Sequence, residues 1–206
     1  KILKASSYYL EDVLRLRLDE RANQGKISFL LLNQPPICDA HCRRCFMPDD
    51  RRTLGSKSSI TLDESKKVLE QARDYGALCL EISGEGEPVL SKNLLGIIKH
   101  ANKLGYLTTL ITNGHNLTSE QIGLYKDSNV TLVFSHHSLD KSRYEADNST
   151  CGSFESKMRN LESAIKLYNG IIEKQNGFDV YRLAIHATLQ KDNIKDTLDL
   201  RDYCHE

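Results

Sequence analysis

Cys38, Cys42 and Cys45 stand in the run ICDAHCRRCFMP, residues 37–48, with the spacing C-x3-C-x2-C. Thiolates are soft ligands that select zinc, copper(I) or iron–sulfur clusters. Structural zinc asks for a closed set of four ligands, usually two separated pairs, and this chain has one trio with no C-x-x-C partner elsewhere. His41 adjoins Cys42 in the chain, so its side chain points away from a site shared with it. A ferredoxin-type carrier brings four cysteines to each cubane. Three thiolates cover three corners and leave one iron open, and an open position is where a substrate or cofactor binds. Cys79, Cys151 and Cys204 are scattered, a poor layout for a disulfide framework and a suitable one for reduced thiols.

The elements that must position the trio alternate. An amphipathic helix is expected over Ser7–Arg21, with Leu10, Val13, Leu14 and Leu18 on one face. Strands follow at 28–33, 77–83, 106–112, 130–135 and 179–190. Helices are expected at 61–76, opened by the capping box Thr61 with Glu64, at 92–105, at 118–128, capped by Thr118 with Gln121, and at 153–170. A last helix begins with Asn193 as its cap. Five βα units predict a parallel sheet with right-handed crossovers, either a barrel or a doubly wound sheet. In both, ligands collect at the C-terminal strand ends, and each unusual motif here follows a strand. The long polar loop 46–60 is a candidate lid.

With its trio just after the first strand, the chain resembles the radical S-adenosylmethionine (radical SAM) enzymes, whose signature has this spacing and place. The resemblance implies a partial TIM-like (β/α)6 barrel over residues 28–206, preceded by a helical extension, 1–27, with the sixth strand expected beyond Glu206. It implies a [4Fe–4S] cluster on Cys38, Cys42 and Cys45, whose open iron chelates the amino and carboxylate groups of S-adenosylmethionine. One-electron reduction then cleaves the sulfonium, and the resulting 5′-deoxyadenosyl radical takes a hydrogen atom from substrate. GEGEP, Gly84–Pro88, resembles the family's G-G-E-P, with Glu85 in place of one glycine. Gly86, Glu87 and Pro88 are thereby assigned to the cofactor, Glu87 facing the methionine ammonium.

Other correspondences are looser. Arg44 stands where the family has an aromatic residue near the adenine; either it stacks there, or Phe46 does, or Arg44 is a solvated loop charge. Asn113, in the turn TNG, and Ser138, in SHHSLD, are the polar candidates after the third and fourth strands, with Ser135 the alternative to Ser138. His136 and His137 are either acid–base groups near substrate or hydrogen-bonded structural residues. Ile185, Ala187 and Gln190 fit a loose fifth-strand motif and equally an ordinary buried strand. Cys151 is a candidate exposed thiol near the barrel mouth, and no second cysteine cluster suggests an auxiliary iron–sulfur domain.

Composition narrows the partners. Twenty-eight basic and 28 acidic side chains cancel, which argues against nucleic acid as partner. No apolar run approaches a membrane span, about 18 residues, and the acid-bearing N-terminal segment does not read as a signal peptide. A cytoplasmic enzyme is expected, acting on a peptide or a small metabolite and drawing single electrons from a reductant such as flavodoxin or ferredoxin. The alternatives are a structural-zinc binding module, colourless and stable in air, and an iron–sulfur electron-transfer protein that does not cleave S-adenosylmethionine.

Overall fold

The computed structural model describes residues 18–34, 37–43, 45, 47, 60–147, 153–169, 172–175 and 178–204. Most of the expected first helix lies outside them, as do Arg44, Phe46, Cys151 and nearly all of the loop 46–60. What is described of that first helix is α1, Leu18–Asn23.

Five strands make one parallel sheet: β1 (Phe29–Gln34), β2 (Cys79–Gly84), β3 (Leu107–Thr112), β4 (Val130–Ser135) and, at its far edge, β7 (Leu183–His186). Their order is β1-β2-β3-β4-β7, so each strand neighbours the next along the sheet and the barrel stays open between β1 and β7. The crossovers are helical. α2 (Leu62–Asp74) joins β1 to β2, α3 (Leu94–Lys103) joins β2 to β3, and α4 (Ser119–Asp127) joins β3 to β4. α5 (Lys141–Asp147) and α6 (Phe154–Tyr168) follow β4, and α7 (Asp196–Tyr203) follows β7.

Local sequence explains the helix starts. Thr61 and Glu64 form a reciprocal capping box on α2, and Thr118 with Gln121 does the same on α4; each cap satisfies two otherwise orphaned N–H groups. The pleat sends Leu32, Leu80, Ile82, Leu110, Leu132 and Phe134 to one face, where they join Leu69, Ile97, Ile98, Ile122 and Leu161 from the helices. Fully burying such a side chain contributes about 1.5–3 kcal/mol. The register places Leu31, Glu81, Thr109 and Thr131 in one row across the opposite face, the inside of the open barrel. Phe29 and Leu31 on the edge strand are 42% and 49% exposed there.

The expected strand 179–190 is not one strand. β5 (Ile172–Gln175) and β6 (Phe178–Tyr181) form an antiparallel hairpin outside the sheet, and the chain bends at Arg182 before β7 begins. Arg182 is buried and its Nη2 donates to Asn129 O at 2.5 Å, which fixes the bend beside the start of β4. The apolar pattern runs through this segment without recording which partner each half pairs with. Asn193 does not cap α7. Its Nδ2 donates to His137 O and Thr188 O, its Oδ1 accepts from Gln190 N, and the cap position falls on Lys195.

Candidate functional site

The loops after β1, β2, β3 and β4 meet at the C-terminal edge of the sheet. The cysteine loop is joined to three of them. Glu87 N donates to Ile37 O at 2.7 Å. Asp39, between Cys38 and Ala40, takes Asn113 Nδ2 on one oxygen at 2.7 Å and Asn116 Nδ2 on the other at 2.5 Å. Arg43 N donates to Asp147 O, at the end of α5, at 2.8 Å. Within the loop, Ala40 N reaches Cys38 Sγ at 3.4 Å and Cys45 N donates to Cys42 O at 3.0 Å. None of the three cysteines is in a disulfide, and all are partly exposed. Burial pushes the Cys38 thiol up to about 11, with Glu87, Asp39 and Cys42 adding repulsion and the Ala40 amide opposing. Without a cation or metal on it, this sulfur stays protonated at neutral pH.

Glu87 is 3% exposed. Thr112 Oγ1 donates to its Oε1 at 2.6 Å, Asn113 N to its Oε2 at 2.7 Å and Val89 N to its Oε1 at 3.2 Å. Burial lifts its pKa to about 7 despite those donors. It thus locks the loop after β2 to the end of β3. Pro88 follows as the first residue of the 3-10 turn Pro88–Leu90, where its missing N–H leaves nothing unsatisfied. Gly86 lies half-buried in the preceding bend. The glycine that the backbone itself demands in this motif is Gly84, at φ +139°, where a Cβ would meet Gln34 N at 3.0 Å.

Asn113 is committed to protein partners: besides Asp39, its Oδ1 accepts from His115 N at 2.9 Å. The next residue, Gly114, sits at φ +79° with Phe134 Cδ1 where a side chain would be, 2.5 Å from an ideal Cβ. The turn chemistry of TNG is therefore required by packing. Ser138 is buried, and its Oγ accepts from Asp140 N at 3.0 Å. Asp140 caps α5 through Arg143 N at 2.9 Å. His137 Nδ1 accepts from Thr188 N at 3.0 Å, tying the β4 loop to the chain after β7. Ile185 packs on the helix-side core with Leu183.

After β4, against α5 and α6, lies a buried polar group of which sequence reasoning named only His136. His136 is 0% exposed and, among the described residues, neither ring nitrogen has a hydrogen-bond partner; its ring packs beside Tyr144 and Phe154. His115 hydrogen-bonds the Tyr144 hydroxyl through Nε2, while its Nδ1 has no partner among the described residues. Lys157, 2% exposed, donates to Ser135 O and holds its ammonium 5.0 Å from the centre of the Tyr144 ring. Burial keeps both imidazoles neutral, near 4 for His115 and 3 for His136, and pulls Lys157 down to about 8. One signal was available in the sequence. Lys157 is in phase with Leu161, Ala164 and Tyr168, the buried stripe of α6, and a lysine on such a stripe calls for an explanation.

These residues suit a thiolate-bound anionic group. Three thiols free of disulfides share one pinned loop, and the buried Lys157 ammonium makes no ion pair among the described residues. Among the described residues no three His, Cys, Asp or Glu side chains converge on the place of a single ion; a cubane takes one thiolate per iron corner instead.

Comparison with known proteins agrees. Residues 32–200 match the sequence model of the Radical SAM superfamily. PqqA peptide cyclase of Bradyrhizobium diazoefficiens is 36% identical over 104 residues, which are 50% of this chain and 27% of that protein. SuiB of Streptococcus suis superposes with a TM-score of 0.67 at 20% identity, over 92% of this chain and 39% of that one. The AdoMet-bound anSMEcpe structure gives a TM-score of 0.62 at 19% identity, over 86% and 48%. The chain thus spans between about a quarter and a half of the length of these relatives.

Proposed function

Because this chain belongs to the radical SAM superfamily, whose enzymes use a [4Fe–4S] cluster and S-adenosylmethionine, we propose that it is the cofactor-binding core of an enzyme that modifies a peptide. When bound, the pair supplies a 5′-deoxyadenosyl radical on one-electron reduction, and the radical abstracts a hydrogen atom from substrate. Cys38, Cys42 and Cys45 would hold the cluster, and residues 28–206 would form the core domain, with residues 1–27 as a helical extension.

The observation that carries this reading is the cysteine loop pinned at Asp39 by two amides from the β3 loop. The pin orders a segment that would otherwise carry three thiols on a free surface loop, so less conformational freedom is lost when a cluster binds. Gly86, Glu87 and Pro88 shape the neighbouring wall. Glu87 presents a carboxylate already oriented by three donors, with lone-pair capacity left on Oε2 for a ligand ammonium. Ser138 and Asn113 are assigned a supporting place on the cofactor side of the β4 and β3 loops, and Arg44 or Phe46 the place beside the adenine. The peptide class is supported by the PqqA peptide cyclase relative, and a zero formal net charge supports a partner other than nucleic acid. No helix among the described residues is long and apolar enough to cross a membrane. A cytoplasmic setting with a flavodoxin- or ferredoxin-class reductant fits the reduced thiols.

The test is anaerobic reconstitution with iron and sulfide, reduction with dithionite and addition of S-adenosylmethionine, read as 5′-deoxyadenosine and methionine by mass spectrometry. Product from the wild type and none from Cys42→Ala is expected. A colourless protein retaining zinc, or a brown one that forms no 5′-deoxyadenosine, would overturn the reading.

A further inference from the structure

The reading above leaves Lys157 without a role. It opens the buried stripe of α6, and among the described residues its ammonium is held by Ser135 O and the face of Tyr144. A buried ammonium is strongly disfavoured unless a negative group answers it, and among the described residues it makes no ion pair. The pocket around it does not supply one. His115 and His136 are neutral, and Tyr144 is a phenol whose ionisation burial pushes up.

A chain of contacts leads from Lys157 to the cysteine loop. Tyr144, whose ring Lys157 covers, belongs to α5, and α5 ends at Asp147, whose carbonyl takes the amide of Arg43 beside Cys42. Burial lowers the Lys157 pKa, and the groups able to carry negative charge that oppose this are Cys42, Glu87 and Asp39. Glu87 and Asp39 already hold hydrogen bonds from three donors and two. The cysteine loop remains as the place where the charge is answered.

We propose that Lys157 is the built-in counter-charge of the [4Fe–4S] cluster, a positioning residue that favours the reduced form and so raises the cluster's reduction potential. The inference rests on the cofactor reading above. With three thiolates, a [4Fe–4S]2+ cluster carries a net charge of −1; one electron from the external reductant takes it to −2, and no proton or atom moves. A fixed positive charge in a poorly polarisable pocket stabilises the −2 state more than the −1 state, and net charge near a cluster is one of the levers on its potential. Lys157 acts through space, behind Tyr144, without touching the sulfurs.

The experiment is an EPR-monitored redox titration of the reconstituted holoprotein without S-adenosylmethionine, comparing wild type, Lys157→Met and Lys157→Arg. Lys157→Met keeps the length and apolar character of the side chain. Its reduced-to-oxidised ratio at a fixed solution potential should fall roughly tenfold, equivalent to ~59 mV for one electron. Lys157→Arg keeps the charge and should stay within about twofold of wild type. An unchanged potential in a fully loaded Lys157→Met protein would overturn the proposal. So would a loss of S-adenosylmethionine affinity with the potential unmoved, which would assign the ammonium to that cofactor. A wild type that takes up no iron and sulfide fails the cofactor reading itself, and metal analysis shows this before any titration.

Discussion

The two buried charges of this site, Glu87 after β2 and Lys157 on α6, are almost equally hidden and very differently provided for. Glu87 meets three donors, two of them backbone amides and one the Thr112 hydroxyl. Lys157 meets one carbonyl and an aromatic face. Both are moved towards neutrality by burial, Glu87 upward to about 7 and Lys157 downward to about 8. The difference separates a charge the fold uses from one it merely houses. The first is a fastening between two loops. The second has no answering charge among the described residues, which is what a place kept for an anionic partner looks like.

Mutation separates these two cases most sharply at Glu87. Glu87→Ala leaves Thr112 Oγ1 and the amides of Asn113 and Val89 without their acceptor, and a loss of about 3–4 kcal/mol is expected in urea unfolding. Glu87→Gln should lose less. Because the folded pKa lies above the ordinary carboxyl value of 4.5, the folded chain holds its proton longer than the unfolded one. The stability contributed by Glu87 is then complete below pH 4.5 and lost as pH rises to 7, roughly 3 kcal/mol in all. His115 and His136 run the other way, their contribution present above 6.5 and lost on acidification. The wild-type minus Glu87→Gln difference isolates the carboxylate; a difference flat between pH 4.5 and 7 would break the comparison.

Lys157→Met should do the reverse of Glu87→Ala and stabilise the cluster-free chain by about 1–2 kcal/mol, since a buried charge with poor partners is often less favourable than an apolar side chain of similar volume. The folded pKa of Lys157 lies below its usual 10.5. Wild-type stability should therefore gain on the variant as pH rises from 8 to 9. Equal destabilisation by both substitutions in denaturant melts would show that Lys157 is as well satisfied as Glu87. Asp39→Ala removes the acceptor of two partly exposed amides and should cost about 1–2 kcal/mol. It should also speed alkylation of Cys38 by iodoacetamide in the cluster-free chain; unchanged kinetics would mean the pin does not order the loop. Far from the site, Thr61→Ala removes the α2 capping box and should cost about 1 kcal/mol with no change in cysteine reactivity.

The starts of α2, α3, α4 and α6 and four of the five sheet strands were legible because their causes are local: capping boxes at Thr61 and Thr118, apolar runs, and glycines Gly76 and Gly105 at positive φ where helices stop; α5, a short helix after β4, was not expected. The fifth strand was legible only in part, since the division at Arg182 depends on a carbonyl 53 residues away. Asn193 looked like a cap and serves instead as a tie between the β4 and β7 loops, because its partners come from His137 and Thr188.

The chemistry proposed for Cys38, Cys42 and Cys45 rests on type and spacing, which sequence preserves in full. Sequence also determined the alternating βα order, and with it the end of the sheet at which the motifs gather. Tertiary structure alone decided what each polar side chain is joined to: Asp39 to two asparagines, Glu87 to the end of β3, Asn113 to Asp39, and Lys157 to an aromatic face in a pocket of neutral histidines. The physical reason is range. Capping, helix periodicity and ligand spacing act within a few residues, whereas the cost of burying a charge is set by groups that only folding brings near.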